Sequence, residues 1–394
     1  MNKLLNRLQI AIGKRKTLGK FRTTTPPPTF PLLDFASNDY LGLSTSQEQL
    51  ALVRSIYDRA ISSSPPPPLL GSTGSRLITG TTKISLEVES YIASFHSTSS
   101  ALLFNSGYAA NLSIFSSIPC QHDNVFVDEL CHNSILMGLK LGRVPESSII
   151  KFTHNDMSDL QSKITRHGSP SGTNIIATES TFSMDGDVCP LEPLLSLCER
   201  TSSVLILDEA HSLGLFPRGL GMASSLQDHP NLLACVNTYG KAFGAAGASI
   251  TSNHPLRDYL VNYSRPFVYS TAMGLHELCV IRAAYETLGG DEGDRRREKL
   301  KKNIGVFRDT VDGAHAKNGR LLPSNSPIQG LVVPGNEEVS RVSSRLNEMG
   351  FLVKPIRAPT VNEGEERIRV ILHSTNTEDE VKTLGEGIKE VLNF

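Results

Sequence analysis

The chain has 394 residues, 39% of them hydrophobic and 20% charged, which is the balance of an ordinary globular protein. A net charge of −1 supplies no field to draw in nucleic acid. No stretch approaches the roughly 18 apolar residues of a membrane helix, so neither nucleic acid nor membrane is expected as a partner. The length permits two or three domains, or one large α/β domain with a lobe.

Residues 1–33 contain Lys3, Arg7, Lys14, Arg15, Lys16, Lys20 and Arg22 and no acid, which leaves the remainder at −8. An acid-free basic start suits a mitochondrial transit peptide, or a helix that caps an acidic body or a partner subunit. Leu4, Leu5, Leu8 and Ile12 recur at helical spacing, so residues 3–20 are expected to form an amphipathic helix. TTTPPPTFP at 23–31 ends it. SSSPPPP at 62–68 reads as an irregular, stiff insertion.

From about 70 to 275, short apolar runs alternate with helical stretches. The runs are ALLF (101–104), NVFVD (124–128), NIIATE (174–179), SVLILDE (203–209), ACVNT (234–238) and GASIT (247–251). Runs this uniformly apolar read as parallel strands buried on both faces, and the spacing suits βαβ units. In such sheets ligands sit beyond the carboxyl ends of the strands, and that is where the chemically unusual residues fall. The charged segment at 289–303 marks a boundary. Beyond it, strand-like and helical pieces alternate as in a small α+β lobe. The expected division is an N-terminal segment (1–38), a large α/β domain (39–288) and a small C-terminal domain (289–394).

Lys241 lies in NTYGKAFGAAGAS, where glycines and alanines leave room for a planar ring beside its amine. Alone, the loop equally suits a solvent lysine. It is no P-loop, because Cys235 stands where the first glycine belongs and Ala242 where Ser or Thr would bind magnesium. Asp208 ends the run SVLILD and opens DEAHSLG. A strand-end carboxylate can hold a pyridinium nitrogen and make the ring an electron sink, with His211 within reach of a ring oxygen. A strand-end acid and a capping histidine also fit. NSGYAAN follows ALLF, so the amides at Gly107 and beyond open a helix, a natural phosphate cradle; Asn105 and Ser106 also suit plain N-caps. His132 follows NVFVD and suits stacking on a planar ligand or a satisfied, partly buried site. TESTFSMDGD offers Glu179 and Ser183, then a turn at Asp185-Gly186.

In order and wording these pieces resemble the α-oxoamine synthases, pyridoxal-phosphate enzymes of fold type I. The matching segments are SNDYLGLS (37–44), GSTGSRLITG (71–80), FNSGYAAN (104–111), DELCHNS (128–134), ESTFSMDGD (179–187), DEAHSLG (208–214), TYGKAFGAAG (238–247), YSTAM (269–273) and IRAPTV (356–361). The resemblance implies a large, mostly parallel sheet domain with a small α+β lobe, and the cofactor pyridoxal 5'-phosphate. It implies a decarboxylating condensation of an amino acid with an acyl-CoA to an α-amino ketone, in a homodimer with shared active sites.

By position, Lys241 would carry the cofactor as a Schiff base and Asp208 would hold its pyridine nitrogen. His211 and Ser183 would bond the ring oxygen, and His132 would stack on the ring. Gly107, Tyr108 and Thr238 would hold the phosphate, joined by Ser270 and Thr271 of the other subunit. Arg357 would bind the amino-acid carboxylate, with Asn38 and Arg22 at the substrate entrance. No metal is implied. The wording of SNDYLGLS, SGYAAN and FSMDGD is most like members that join L-alanine to pimeloyl-CoA in biotin synthesis. Members using glycine and acetyl-CoA or longer acyl chains, and inactive binding subunits, are the alternatives. The PPPP run and Cys131 before His132 depart from the family wording. The cytosol is the expected location and the mitochondrion the second.

Overall fold

The computed structural model describes residues 2–18, 20–24, 31–169, 171–311 and 319–392. They fall into two compact units. The larger holds Asn38–Lys301 with His373–Thr375, and the smaller holds Met1–Ser37, Lys302–Leu372 and Asn376–Phe394. The boundary expected at 289 lies beside the helix Asp291–Val311, and the units divide within that helix.

The larger unit is built on seven strands: β1 (Ser100–Phe104), β2 (Asn124–Asp128), β3 (Ile149–Phe152), β4 (Asn174–Glu179), β5 (Ser203–Asp208), β6 (Leu232–Thr238) and β7 (Ala248–Ser252). Their order across the sheet is β1-β7-β6-β5-β4-β2-β3. The pairings among β2 to β6 are parallel, whereas β7 runs antiparallel to both of its neighbours. Six strands coincide closely with the apolar runs. β3 is the addition, an edge strand whose first three residues are only partly buried or exposed.

Both faces of the sheet are covered. Ile175, Ala177 and Ile206 join one apolar cluster with Ile114, Phe115 and Ile135, while Ile176, Leu205 and Leu207 join another with Leu160, Leu194 and Phe182. Successive residues of a strand face opposite ways, so an uninterrupted apolar run fills two layers at once. Each Leu or Ile fully buried this way contributes about 1.5–3 kcal/mol. The result is a rigid frame whose β1, β2, β4, β5 and β6 carboxyl ends lie along one edge.

The smaller unit carries a four-stranded antiparallel sheet of β8 (Arg320–Leu321), β9 (Ile328–Val332), β10 (Lys354–Ile356) and β11 (Arg367–Ile371), in the order β10-β11-β9-β8. The helices Asn336–Glu348 and Glu378–Leu392 pack with it, burying Val339, Val342, Leu346, Leu384 and Ile388. A helix does form at Lys3–Thr17, capped by Asn2 and ending on Lys14, Arg15 and Lys16, which suit the negative end of its dipole. None of its residues is buried, so no packing of this helix against the body is seen. Among the described residues no helix is long and apolar enough to cross a membrane.

Candidate active site

Each strand end delivers one chemically active segment to the same edge of the sheet. Asp208 closes β5, and the residue is 4% exposed. Its Oδ2 accepts the Asn111 side-chain amide at 2.6 Å, and its Oδ1 accepts the Ala210 N–H at 2.9 Å. Both of these donors are neutral, so neither cancels the carboxylate's charge.

The same Asn111 nitrogen donates to Ser134 Oγ at 2.9 Å, and Ser134 Oγ lies 2.7 Å from His132 Nδ1. Asn111, Ser134 and His132 therefore form a hydrogen-bonded row beside Asp208. His132 caps the helix Asn133–Leu141 with its ring nitrogen, which fixes the ring while leaving the residue exposed. Partial desolvation holds its pKa below the ordinary imidazole range; Lys241 acts in the same direction and Asp208 against it.

Glu179 closes β4 in register with Asp208. Parallel neighbours in register share a face of the sheet, so two carboxyl groups meet there. Burial pushes Glu179 well above the usual carboxyl range, and the Asp208 charge adds to it, while the His132 N–H and Lys241 oppose it. That N–H donates to Glu179 Oε1 at 2.5 Å. On the far side of Asp208, buried His211 has its Nδ1 2.5 Å from the Tyr40 hydroxyl, which also lies 3.3 Å from Asn38 Oδ1.

Lys241 is half-buried in the loop after β6 and close enough to act electrostatically on both His132 and Glu179. The loop closes on itself through Tyr239 N–H to Gly247 O and Ala245 N–H to Tyr239 O, both 3.0 Å. Gly247 has φ +108, and a Cβ there would meet Met273 Cε at 2.2 Å, so this glycine serves the backbone rather than clearing space for a ring.

Gly107 is the first residue of the helix Gly107–Ser117, with Ser106 as its N-cap. A Cβ on Gly107 would lie 2.2 Å from Thr238 Oγ1 at the end of β6. The absence of a side chain thus lets the end of β6 pack directly against the helix N-terminus, so that the Thr238 hydroxyl and the first helix N–H groups stand side by side, as suits an anion. Tyr108 is exposed beside it. Asn105 Nδ2 donates to Thr271 O at 2.8 Å, placing Thr271 and neighbouring Ser270 next to this turn within the same chain. Ser183 is half-buried in the turn whose Phe182 N–H bonds Asp187 O at 2.9 Å. Arg357, half-buried after β10, and exposed Arg22 belong to the smaller unit.

The larger unit therefore assembles Lys241, Asp208, His132, His211, Gly107, Thr238 and Asn38 from distant segments. Three participants were absent from the expected set: Tyr40, Asn111 and Ser134. Each lies inside a quoted motif, but no local pattern distinguishes it from its neighbours, while Glu179 was offered by its motif without a role.

Residues 31–388 match the aminotransferase class I and II family. The chain belongs to that family. The 8-amino-7-oxononanoate synthase of Emericella nidulans is 39% identical over 373 residues, covering 90% of this chain and 88% of its own. That of Marinobacter nauticus is 34% identical over 387 residues, covering 95% and 93%. Among solved structures, serine palmitoyltransferase from Sphingomonas wittichii has a TM-score of 0.86 at 23% identity over 99% of this chain and 98% of its own, a likeness of fold. The 8-amino-7-oxononanoate synthase of Francisella tularensis has a TM-score of 0.74 at 28% identity over 92% and 98%. As a member of the class I and II family, this chain has the fold type I architecture expected of it.

Proposed function

We propose that the chain is a pyridoxal-phosphate-dependent acyltransferase that condenses L-alanine with pimeloyl-CoA to 8-amino-7-oxononanoate, releasing CoA and carbon dioxide. Its relatives of that name, at 39% and 34% identity over nine-tenths of the chain or more, carry the reading.

The residues fit the cofactor. A buried carboxylate that accepts from the Asn111 amide and the Ala210 N–H suits a protonated ring nitrogen, and the helix N-terminus at Gly107 beside the Thr238 hydroxyl suits a phosphate. Pyridoxal phosphate, when bound, supplies an electron sink. Asp208 would keep the ring nitrogen protonated, and the Asn111 amide would hold that carboxylate in orientation. Gly107 and Tyr108 N–H groups with Thr238 Oγ1 would hold the phosphate. His132 would stack on the ring, and Ser183 and His211 would bond its oxygen.

Lys241 Nζ would anchor the cofactor covalently and would also be the base that takes the proton from the substrate Cα. Arg357 would receive the amino-acid carboxylate as a planar fork, with Asn38 and Arg22 at the substrate entrance. In a homodimer, Ser270 and Thr271 would complete the partner's phosphate site. Five of the six free cysteines are buried, which suits a reducing compartment and the cytosol, with the mitochondrion second.

The decisive experiment is a product assay with alanine, glycine and serine against acetyl-, pimeloyl- and long-chain acyl-CoA. Turnover highest with alanine and pimeloyl-CoA is expected. Preference for another pair would replace the substrate assignment, and a purified protein showing no lysine-linked chromophore with added pyridoxal phosphate would overturn the reading.

A further inference from the structure

His154, in the loop after β3, takes no part in the proposed chemistry, yet it sits at the centre of a bonded cluster beneath the site. Its Nδ1 lies 2.9 and 3.1 Å from the two Asp128 carboxylate oxygens, and its Nε2 lies 2.7 Å from Asp187 Oδ2. Only a doubly protonated imidazole donates from both nitrogens. The ring stands edge-on to Phe182 at 4.4 Å. Burial alone would lower its pKa; the two carboxylates outweigh this and raise it to about 9.

The neighbours complete the cluster. Asn155, at φ 54, gives its N–H to Asp128 Oδ2 and its side-chain amide to Asp187 Oδ2 and Val188 O. The His154 N–H bonds Glu129 Oε1 at 3.1 Å. Asp128, Glu129 and Asp187 are thus the acids facing this histidine, and the Asp128 side chain is wholly buried.

The two acids lead directly to the site. Asp128 begins the segment that reaches His132, and Leu130 N–H bonds its Oδ1 at 2.9 Å. Asp187 closes the turn that carries Ser183, and Phe182, against the His154 ring, is the residue before it.

We propose that His154 is a positioning residue, which by bridging Asp128 and Asp187 locks the His132 segment and the Ser183 turn in one register and so tightens the binding of pyridoxal phosphate. This rests on the cofactor reading above. The locking is indirect, so its loss weakens binding without removing any direct contact.

The test uses the full chain, stripped of cofactor and titrated with pyridoxal phosphate while absorption and circular dichroism of the bound chromophore are followed. His154→Gln and Asp187→Asn are compared with wild type and with Ile56→Ala, a core variant in the helix Gln47–Ile61 whose apolar cluster includes no residue of either segment. Both clamp variants are expected to bind on the order of tenfold more weakly, the usual scale for losing an orienting partner, with reduced chromophore dichroism. The double variant is expected to be no worse than either single one. Ile56→Ala is expected to melt earlier yet keep wild-type affinity and dichroism. Wild-type affinity and dichroism in His154→Gln would overturn the proposal, as would a parallel loss in Ile56→Ala. A wild-type protein that takes up no pyridoxal phosphate would overturn the cofactor reading itself.

Discussion

Asn111 and Asp208, both buried, are joined by a 2.6 Å hydrogen bond between an amide and a carboxylate. The bond ties the helix after β1 to the end of β5, and through Ser134 it reaches His132. One amide thus orients both a carboxylate and a histidine of the proposed site.

Asn111→Ala is expected to strip Asp208 Oδ2 of its donor. An unsatisfied buried acceptor costs about 1–3 kcal/mol, so the urea midpoint should fall and pyridoxal phosphate should bind more weakly. An unchanged midpoint together with unchanged affinity would show that the bond orients nothing.

Lys241→Ala is expected to abolish turnover and the lysine-linked absorption band while leaving the fold intact, since Lys241 is only half-buried and belongs to no core cluster. Absorption spectroscopy and far-UV dichroism on the same sample check both halves of this expectation.

Gly107→Ala is expected to force Thr238 aside, because the added Cβ would lie 2.2 Å from Thr238 Oγ1. Cofactor affinity should drop steeply. Combining it with Thr238→Ala removes the clash, so the pair should bind better than the sum of the single losses implies. Strict additivity would mean that the two residues do not share one space.

Half-buried His154 and buried Glu209 each predict a loss of stability with rising pH, in different windows. His154, raised to about 9 from an ordinary 6.5, contributes stability that is complete below 6.5 and lost as pH climbs through 9. His154→Gln should therefore flatten the alkaline limb of the melting curve. Glu209, raised by burial to about 7, is 0% exposed and accepts the Ala223 N–H at 2.9 Å. It holds a proton in the folded state that the unfolded chain releases near 4.5, so stability falls as pH rises from 4.5 through 7. Glu209→Gln should remove that slope. Scanning calorimetry between pH 4 and 10 reads both.

Much of the frame is legible in the chain itself. Six strands announce themselves as apolar runs because a strand covered on both faces needs every residue apolar. The polar residues that end those runs, Asp208 above all, fall at the sheet edge for the same reason. Lys241, His132 and Gly107 follow from that placement together with the family wording. The amphipathic pattern of residues 3–20 likewise forms a helix, though apolar spacing says nothing about what covers its face.

Tertiary structure decided the rest. Apolarity does not encode direction, so the antiparallel course of β7 was invisible, and β3 is too partly exposed at the sheet edge to stand out as a run. Asn111 and Asp208 are 97 positions apart, and His154 lies 26 and 33 positions from its two acids. Asp208 and Glu179 share a face only because β4 and β5 align in register. Composition and local pattern determine which residues are buried and where strands end, because those depend on near neighbours. Which buried polar groups bond one another depends on strand order and register, and these are set by packing across the whole sheet.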